Sequence, residues 1–538
     1  MTKPQVYLLD YGAGNVRSLV NAVNKMGFEI TPITQVEDFA KADKIIFPGV
    51  GSFGFGVNSL RSKGFEKPLL EYLASGKPFM GICVGMQCLF ESSEESVGYG
   101  ITKFSVDAGA GAKKSVPHMG WNAALTGAPS EYMNHDGDDS RYYFVHSYAA
   151  IVPSNTFSAT EKEHLLPGGW TCTLTTYHNE TFISAIKRGN VFATQFHPEK
   201  SGSAGLKLLA SFLKADPQVF CQETPATTIP LSFPVPHRLS RRIIACLDVR
   251  TNDAGDLVVT KGDQYDVRET SGSGHVRNLG KPVDLSAQYY QAGADEITFL
   301  NITSFRGSVL ADDAMLEVVK RASERVFVPL TVGGGIRDLT DAQGVVTASA
   351  LEVAAEYFRS GADKVSIGSD AVYAAEAYYK NGRVCDGTSS IEQISRVYGA
   401  QAVVVSVDPK RVYVKNLEEA RGHAVCTVKG GRESRDLDVR QLVVACEALG
   451  QENMDKDGTN SGFDHGLLNL VKESVGIPVI ASSGAGKVEH FTECFKATNV
   501  EAALAAGIFH RKEVAISQVK DELSLKGFEA RRMDVTFF

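Results

Sequence analysis

The 538-residue chain has little of what marks a protein for a special environment. No apolar run reaches the about twenty residues that a membrane-spanning helix needs. The opening Met1-Thr2-Lys3-Pro4-Gln5 leads straight into Val6-Tyr7-Leu8-Leu9-Asp10 and lacks the basic flank and apolar core of an export signal. The nine cysteines show neither the paired spacing of a disulfide framework nor, with the histidines, a zinc-ligand pattern, so a reducing compartment and no metal are expected. Lysine and arginine, 55 together, are outnumbered by 63 aspartates and glutamates, giving a net charge of -8. That balance argues against a nucleic-acid partner and leaves room only for local basic patches that could hold phosphates. No membrane partner is expected either, and the expected location is cytoplasmic.

What is present is ordinary for a globular protein, 43% hydrophobic and 22% charged, on a chain long enough for two or more domains. Residues 1–215 alternate short buried-strand patterns, such as Val6 to Asp10 and Lys44-Ile45-Ile46-Phe47, with helical stretches near 16–26 and 66–75. Residues 216–237 are rich in proline, follow neither period and are expected to be a linker. Residues 238–538 form a second α/β region, opening on Arg241-Arg242-Ile243-Ile244-Ala245-Cys246-Leu247-Asp248-Val249.

The first region carries Gly81-Ile82-Cys83-Val84-Gly85 after an apolar run and, some 115 residues later, Gln195-Phe196-His197-Pro198-Glu199. A strand turning sharply into a helix needs small residues around a strained position and pushes that side chain out toward solvent. A cysteine there sits at a helix N-terminus, where the dipole favours the thiolate. His197 can take the proton and Glu199 can orient the imidazole. Either motif alone has a bland reading, a buried small thiol or a His-Pro turn. Together, in this order, they resemble the class I (triad) glutamine amidotransferases. The resemblance extends to Phe47-Pro48-Gly49-Val50-Gly51. It implies backbone N–H donors at Gly51 and Val84 for the oxyanion, and hydrolysis of L-glutamine through a glutamyl thioester with release of ammonia.

The second region contains an internal repeat. Ile244 to Val249 matches Val403-Val404-Val405-Ser406-Val407-Asp408; Val328 to Gly335 matches Ile477 to Gly484; Lys364 to Ser369 matches Ala502 to Gly507. Two halves of about 150 residues, each alternating strand and helix, describe a (β/α)8 barrel built by duplication. Asp248 and Asp408 are expected at the ends of the first and fifth strands, facing each other across the mouth, where paired carboxylates suit general acid–base work on one bound molecule. For either alone, a loop cap is an equal reading. Glycine-rich strand ends recur in both halves, Gly333-Gly334-Gly335 and Ser483-Gly484-Ala485-Gly486, a pattern suited to a substrate with two phosphates.

With these segments the barrel resembles the cyclase of histidine biosynthesis, and nearly the whole chain resembles the fused imidazole glycerol phosphate synthases of fungi and plants. Val258 to Gly262, Phe299 to Ser304 and Asp455-Lys456-Asp457-Gly458 carry the resemblance further. It implies that ammonia passes through the barrel to a bisphosphorylated nucleotide, PRFAR, giving imidazole glycerol phosphate and AICAR, with no cofactor. It assigns catalysis to Asp248 and Asp408, and substrate binding to Lys261, Gly334, Ser369, Asp457, Thr459, Gly484 and Gly507. It places Arg242, Glu296 and Lys364 at an ammonia gate, and pairs Asp363 with Lys200 between the domains. With both activities on one chain, a monomer suffices.

One departure stands out. Aligning Gly293 with Gly450 leaves the second half about five residues short, and Gln451-Glu452-Asn453-Met454 lacks β propensity. A barrel needs every strand to close, so the sixth strand is expected to be truncated. A gene-model error, a short strand with a distorted barrel, and a decayed cyclase that only senses its ligand beside a working glutaminase are the three readings. The segment Arg411 to Thr427 also looks shorter than the fused family's pattern, where a longer hairpin is expected before Val428-Lys429-Gly430-Gly431. A pyridoxal phosphate synthase, which also joins a triad glutaminase to a barrel, would need a lysine where the matched strand ends carry aspartate.

Overall fold

The computed structural model describes all residues except 1–2, 13–14, 50, 52, 95–99, 110–111, 127–139, 153–164, 167–168, 217–238, 253–256, 261–278, 303–312, 342, 412–423, 430, 451–453, 457–461 and 533–538. The chain divides into two compact units between Ser240 and Arg241. The expected linker lies almost entirely outside the described residues.

The first unit is built on a mixed sheet. Its parallel half runs in the order Val191–Thr194, Phe79–Ile82, Lys44–Phe47, Val6–Leu8 and Ile30–Pro32. Beyond Val191–Thr194 the order turns antiparallel through Glu180–Arg188, Trp170–Tyr177 and the short edge Leu125–Thr126. Ile45, Ile46, Phe79 and Ile82 are fully buried, as strands covered on both faces require. Helices at Arg17–Lys25 and Glu66–Ala74 agree with the sequence reading. The helix Gly202–Lys214 ends over the sheet, where the buried Lys44 ammonium donates to the carbonyls of Phe212, Leu213 and Ala215. Carbonyls at a helix C-terminus lack the donors of a further turn, so the strand lysine supplies donors at this helix end.

The second unit is a closed barrel of eight parallel strands: Arg242–Thr251, Glu296–Asn301, Leu330–Gly333, Lys364–Ile367, Val403–Val407, Met454–Lys456, Val479–Ser482 and Ala502–Ala505. The first strand pairs with both the second and the eighth, which removes the edges. Carboxylates just before three of the strands lock their neighbours. Asp295 accepts from the N–H of Ile243, Asp363 from Leu330 and Glu501 from Val479, at 2.9, 2.8 and 2.8 Å. Asp295 also holds Lys520 and Arg531 at 2.6 and 2.8 Å, which ties the terminal helix Ile516–Leu525 to the barrel.

The duplication is visible in the backbone. After the third strand Gly334 and Gly335 have φ of 96° and 77°; after the seventh, Ser483 and Gly484 have 63° and 99°. Gly368 after the fourth strand (φ -104°, ψ -94°) and Ala506 after the eighth (φ -121°, ψ -79°) share an unusual conformation, each just before a helix.

The sixth strand is short but present, which corrects the expectation that its neighbours lose ladder partners. Met454, Asp455 and Lys456 pair with Val405, Ser406 and Val407 on one side and with Val479, Ile480 and Ala481 on the other. Gly293 and Gly450 do correspond: both end helices with left-handed φ, 96° and 94°. The second strand starts three residues after Gly293 and the sixth four residues after Gly450. Ladder bonds use backbone groups, so low β propensity in the side chains does not prevent three residues from bridging two formed neighbours. In the segment read as short, Ala424–Val428 lies between Pro409–Arg411 and Glu433–Asp438, with 412–423 outside the described residues.

Candidate active site

The strand Phe79–Ile82 turns at Cys83 into the short helix Val84–Gln87. Cys83 has φ 54° and ψ -107°, a strained conformation for a residue with a side chain. The glycines around it are required by space. A Cβ at Gly81 would lie 2.6 Å from the Gly85 carbonyl oxygen, and one at Gly49 would lie 2.4 Å from Cβ of Val84. The Cys83 N–H donates to the carbonyl of Thr194 at 2.7 Å. The side chain is not put out into solvent as the turn suggests: Cys83 is 6% exposed, with the Gln195 side chain hydrogen-bonded to its sulfur.

The long sequence gap to the histidine is closed by sheet pairing. Ala193 and Thr194 sit beside Gly81 and Ile82 in parallel register, so the chain leaving Thr194 emerges next to the chain leaving Ile82. His197 follows, its N–H donating to Tyr143 and its carbonyl accepting from Ser201 Oγ at 2.6 Å. His197 Nδ1 lies 2.8 Å from Glu199 Oε1. Both side chains are buried. Burial alone would lower the imidazole pKa, but the charges of Glu199 and Cys83 and their hydrogen bonds outweigh it and hold the value well above the usual 6.5. A cysteine, a histidine biased toward its charged form and a carboxylate orienting it are the groups that a nucleophile, its base and an orienter require. Gly51, with φ 114°, belongs to the loop after the strand Lys44–Phe47, and the Gly49 contact sets that loop against Val84.

Sequence reasoning missed the groups behind the nucleophile. Gln87 and Gln195 are buried and bonded to each other, and His146 and His118 pair at 3.2 Å inside a cage of Phe104, Phe144, Tyr177 and Phe182. Only the position of Gln195 just before Phe196-His197 could have signalled a role. Burial keeps both imidazoles in the neutral range, with His146 lowered to about 3.

In the barrel, Asp408 directly follows the fifth strand, but Asp248 lies inside the first, which runs on to Thr251. The extension exists because Leu257–Val259 folds back antiparallel onto Val249–Thr251. The two aspartates still have matching surroundings. The Asp248 carbonyl accepts from the N–H of Thr260 at 2.8 Å, and that of Asp408 from the N–H of Thr427 at 3.0 Å. Gly334, Ser369, Gly484 and Gly507 all follow barrel strands or open the next helix at the same end. Ser369 Oγ accepts from the N–H of Lys429 at 2.8 Å. Lys261, Asp457 and Thr459 lie outside the described residues.

At the opposite end, where strands begin, Glu296 accepts from Arg242 Nη1 at 3.1 Å, Lys364 Nζ at 2.7 Å and Thr331 Oγ1 at 2.7 Å. All four residues are buried. Burial raises the Glu296 pKa, yet the two cations prevail and leave it below the ordinary value; burial lowers that of Lys364 despite Glu296. Two cations share one carboxylate, and Nε and Nη2 of Arg242 have no hydrogen-bond partner. Ile244, Cys246, Ile480, Ala502 and Leu504 form an apolar cluster on the first, seventh and eighth strands. Asp363 and Lys200 each sit at an element boundary of their own unit, the latter closing the turn Pro198–Lys200. No helix among the described residues is long and apolar enough to cross a membrane.

Two families match the chain: the one described as glutamine amidotransferase class-I over residues 7–215, and the one described as histidine biosynthesis protein over residues 242–515. The imidazole glycerol phosphate synthase hisHF of Emericella nidulans is 53% identical over 566 residues, covering 99% of each chain. The chloroplastic imidazole glycerol phosphate synthase hisHF of Arabidopsis thaliana is 52% identical over 553 residues, 98% of this chain and 89% of that protein. The imidazole glycerol phosphate synthase subunit HisF of Corynebacterium glutamicum is 38% identical over 296 residues, 54% of this chain and 98% of the subunit.

Proposed function

The chain belongs to the imidazole glycerol phosphate synthases that carry glutaminase and cyclase on one polypeptide, and from that premise we propose how its residues divide the work. Cys83 Sγ attacks the carboxamide carbon of L-glutamine. The N–H groups of Gly51 and Val84 hold the oxyanion. His197 gives its proton to the departing nitrogen, which leaves as ammonia, and the glutamyl thioester remains. Water, deprotonated by His197, then releases glutamate. Glu199 keeps the imidazole oriented through both steps. The observation that carries this reading is the 2.8 Å His197–Glu199 contact beside a cysteine on a strained turn.

Ammonia enters the barrel past Arg242, Glu296 and Lys364 and travels along the apolar lumen to the mouth. There it meets PRFAR, whose phosphates are held by Gly334 with Ser369 and by Gly484 with Gly507, with Lys261, Asp457 and Thr459 closing over it. Asp248 and Asp408 act as general acid and base in the ring closure that yields imidazole glycerol phosphate and AICAR. Asp363 and Lys200 couple occupancy of the barrel to alignment of the triad. The enzyme works as a cytoplasmic monomer without a cofactor. A ligand-sensing barrel without cyclase activity rested on a missing sixth strand, and that support is gone.

The experiment is turnover of PRFAR by the full chain with glutamine and, separately, with ammonium salt. Product from both nitrogen sources is expected. Product from neither, with the protein folded, would overturn the cyclase assignment.

A further inference from the structure

A continuous line of hydrogen bonds leads from Cys83 into the first unit. Gln195 Nε2 donates to Cys83 Sγ at 3.5 Å, and Gln195 Oε1 accepts from Gln87 Nε2 at 3.1 Å. Gln87 Nε2 also donates to the Tyr148 carbonyl at 3.2 Å, and that oxygen accepts from His146 Nδ1 at 2.8 Å. His146 Nε2 meets His118 Nδ1 at 3.2 Å, and His118 Nε2 meets Asn122 Nδ2 at 3.2 Å. Asn122 Nδ2 ends the line on the carbonyl of Thr176 at 3.0 Å. Gln195 is 1% exposed, so bulk water does not stand in for its amide.

The direction of every bond follows from the two backbone carbonyls, which can only accept. Tyr148 obliges Gln87 to turn its NH2 inward. The same NH2 serves Gln195 Oε1, so Gln195 turns its own NH2 to the sulfur. Reversing the Gln195 amide would set NH2 against NH2 and an oxygen lone pair against the thiolate. At the other end His146 carries its proton on Nδ1 and accepts at Nε2, which fixes His118 as a donor from Nδ1. Both rings are therefore neutral, and His197 is the only imidazole of the three poised to carry charge beside the sulfur.

We propose that Gln195 is a catalytic residue of the glutaminase, donating an N–H to the Cys83 thiolate, with Gln87, the Tyr148 carbonyl and His146 as the positioning groups that fix its amide. The inference rests on the glutaminase reading above and adds a donor to it. A hydrogen bond to an ionised, buried sulfur is stronger than one to the neutral thiol, so it favours the reactive form. Gln195 and His197 leave the same strand end two residues apart, so one segment delivers both the base and this donor.

The test compares Gln195→Met, which removes the donor, and Gln195→Glu, which replaces it with an acceptor, in the full chain. The pH profile of Cys83 alkylation by iodoacetamide, read at that residue by mass spectrometry, should move up by about one unit or more in both variants. Glutaminase kcat at neutral pH should fall about tenfold or more with KM for glutamine changed less than about threefold, and part of the loss should return at higher pH. The melting transition of the first unit, unchanged from the parent, serves as the check that the glutaminase unit is folded. An unmoved alkylation profile in both variants, even with a lower kcat, would overturn the proposal and leave Gln195 a packing residue. Cys83→Ala in the same series separates the underlying reading: retained glutamine hydrolysis there would overturn Cys83 as the nucleophile, on which this inference rests.

Discussion

Gly85 lies so close beneath Phe47 that a Cβ added to it would stand 1.9 Å from the Phe47 carbonyl oxygen. The contact joins the helix that starts at the nucleophile to the strand feeding the Gly49–Gly51 loop. Neither backbone can move without moving the other. Gly85→Ala is therefore expected to displace Cys83 while leaving the barrel intact. A shift of about 1 Å at a reacting centre costs on the order of 10²-fold in rate. Glutaminase kcat should fall by about that factor, with ammonia-dependent cyclase turnover unchanged in the same preparation.

His197 and Glu199 make a pH-dependent contribution to stability. The imidazole pKa is raised in the folded chain, so the stabilisation is complete below the unfolded value of about 6.5 and is lost as pH climbs through the higher folded value. Glu199→Gln removes its main source. The melting temperature of the first unit should drop below that of the parent at pH 6, and the two should converge at alkaline pH. For activity, His197→Ala should lower glutaminase kcat by about 10²–10⁴-fold, the range for a lost general base.

The floor of the barrel carries an excess of positive charge, two cations on one carboxylate. Removing the carboxylate and removing a cation should therefore have opposite consequences. Glu296→Gln removes the carboxylate that Arg242 and Lys364 share and should cost about 3–5 kcal/mol. Lys364→Met leaves a one-to-one pair of Arg242 with Glu296 and should be near neutral or stabilising. Thermal unfolding of both variants beside the parent reads the order directly.

The sixth strand holds the fifth and seventh together through three residues. Proline at its centre, Asp455→Pro, deletes a donor and bars the ladder on a strand with neighbours on both sides, at about 3 kcal/mol or more. Cyclase turnover with ammonium salt should be lost and the barrel should unfold at lower denaturant, while basal glutamine hydrolysis persists.

Much of this was legible in the sequence because it rests on local requirements. A cysteine between glycines reads as a strained turn because Gly81 and Gly85 have no room for a side chain. The repeat was legible because Gly334 with Gly335 and Ser483 with Gly484 answer the same backbone demand after the third and seventh strands. The sequence showed the sixth strand as truncated but not that its residues still complete the ladder, because its side chains carry the weak part of the signal. Its ladder depends on Val405 and Val479 being in place already. The line from Cys83 to Asn122 was invisible because its members come from separate elements and none has unusual spacing.

By itself the sequence determined the reaction class, the two-unit order, the duplicated barrel and the strained turn at Cys83, since glycine placement and strand–helix alternation act over a few residues. Only the tertiary structure decided that the barrel closes, that two cations share Glu296, and that a glutamine donates to the nucleophile. Those outcomes depend on which distant backbone and side-chain groups meet in a buried, water-free setting, and burial obliges each polar group to find a partner there.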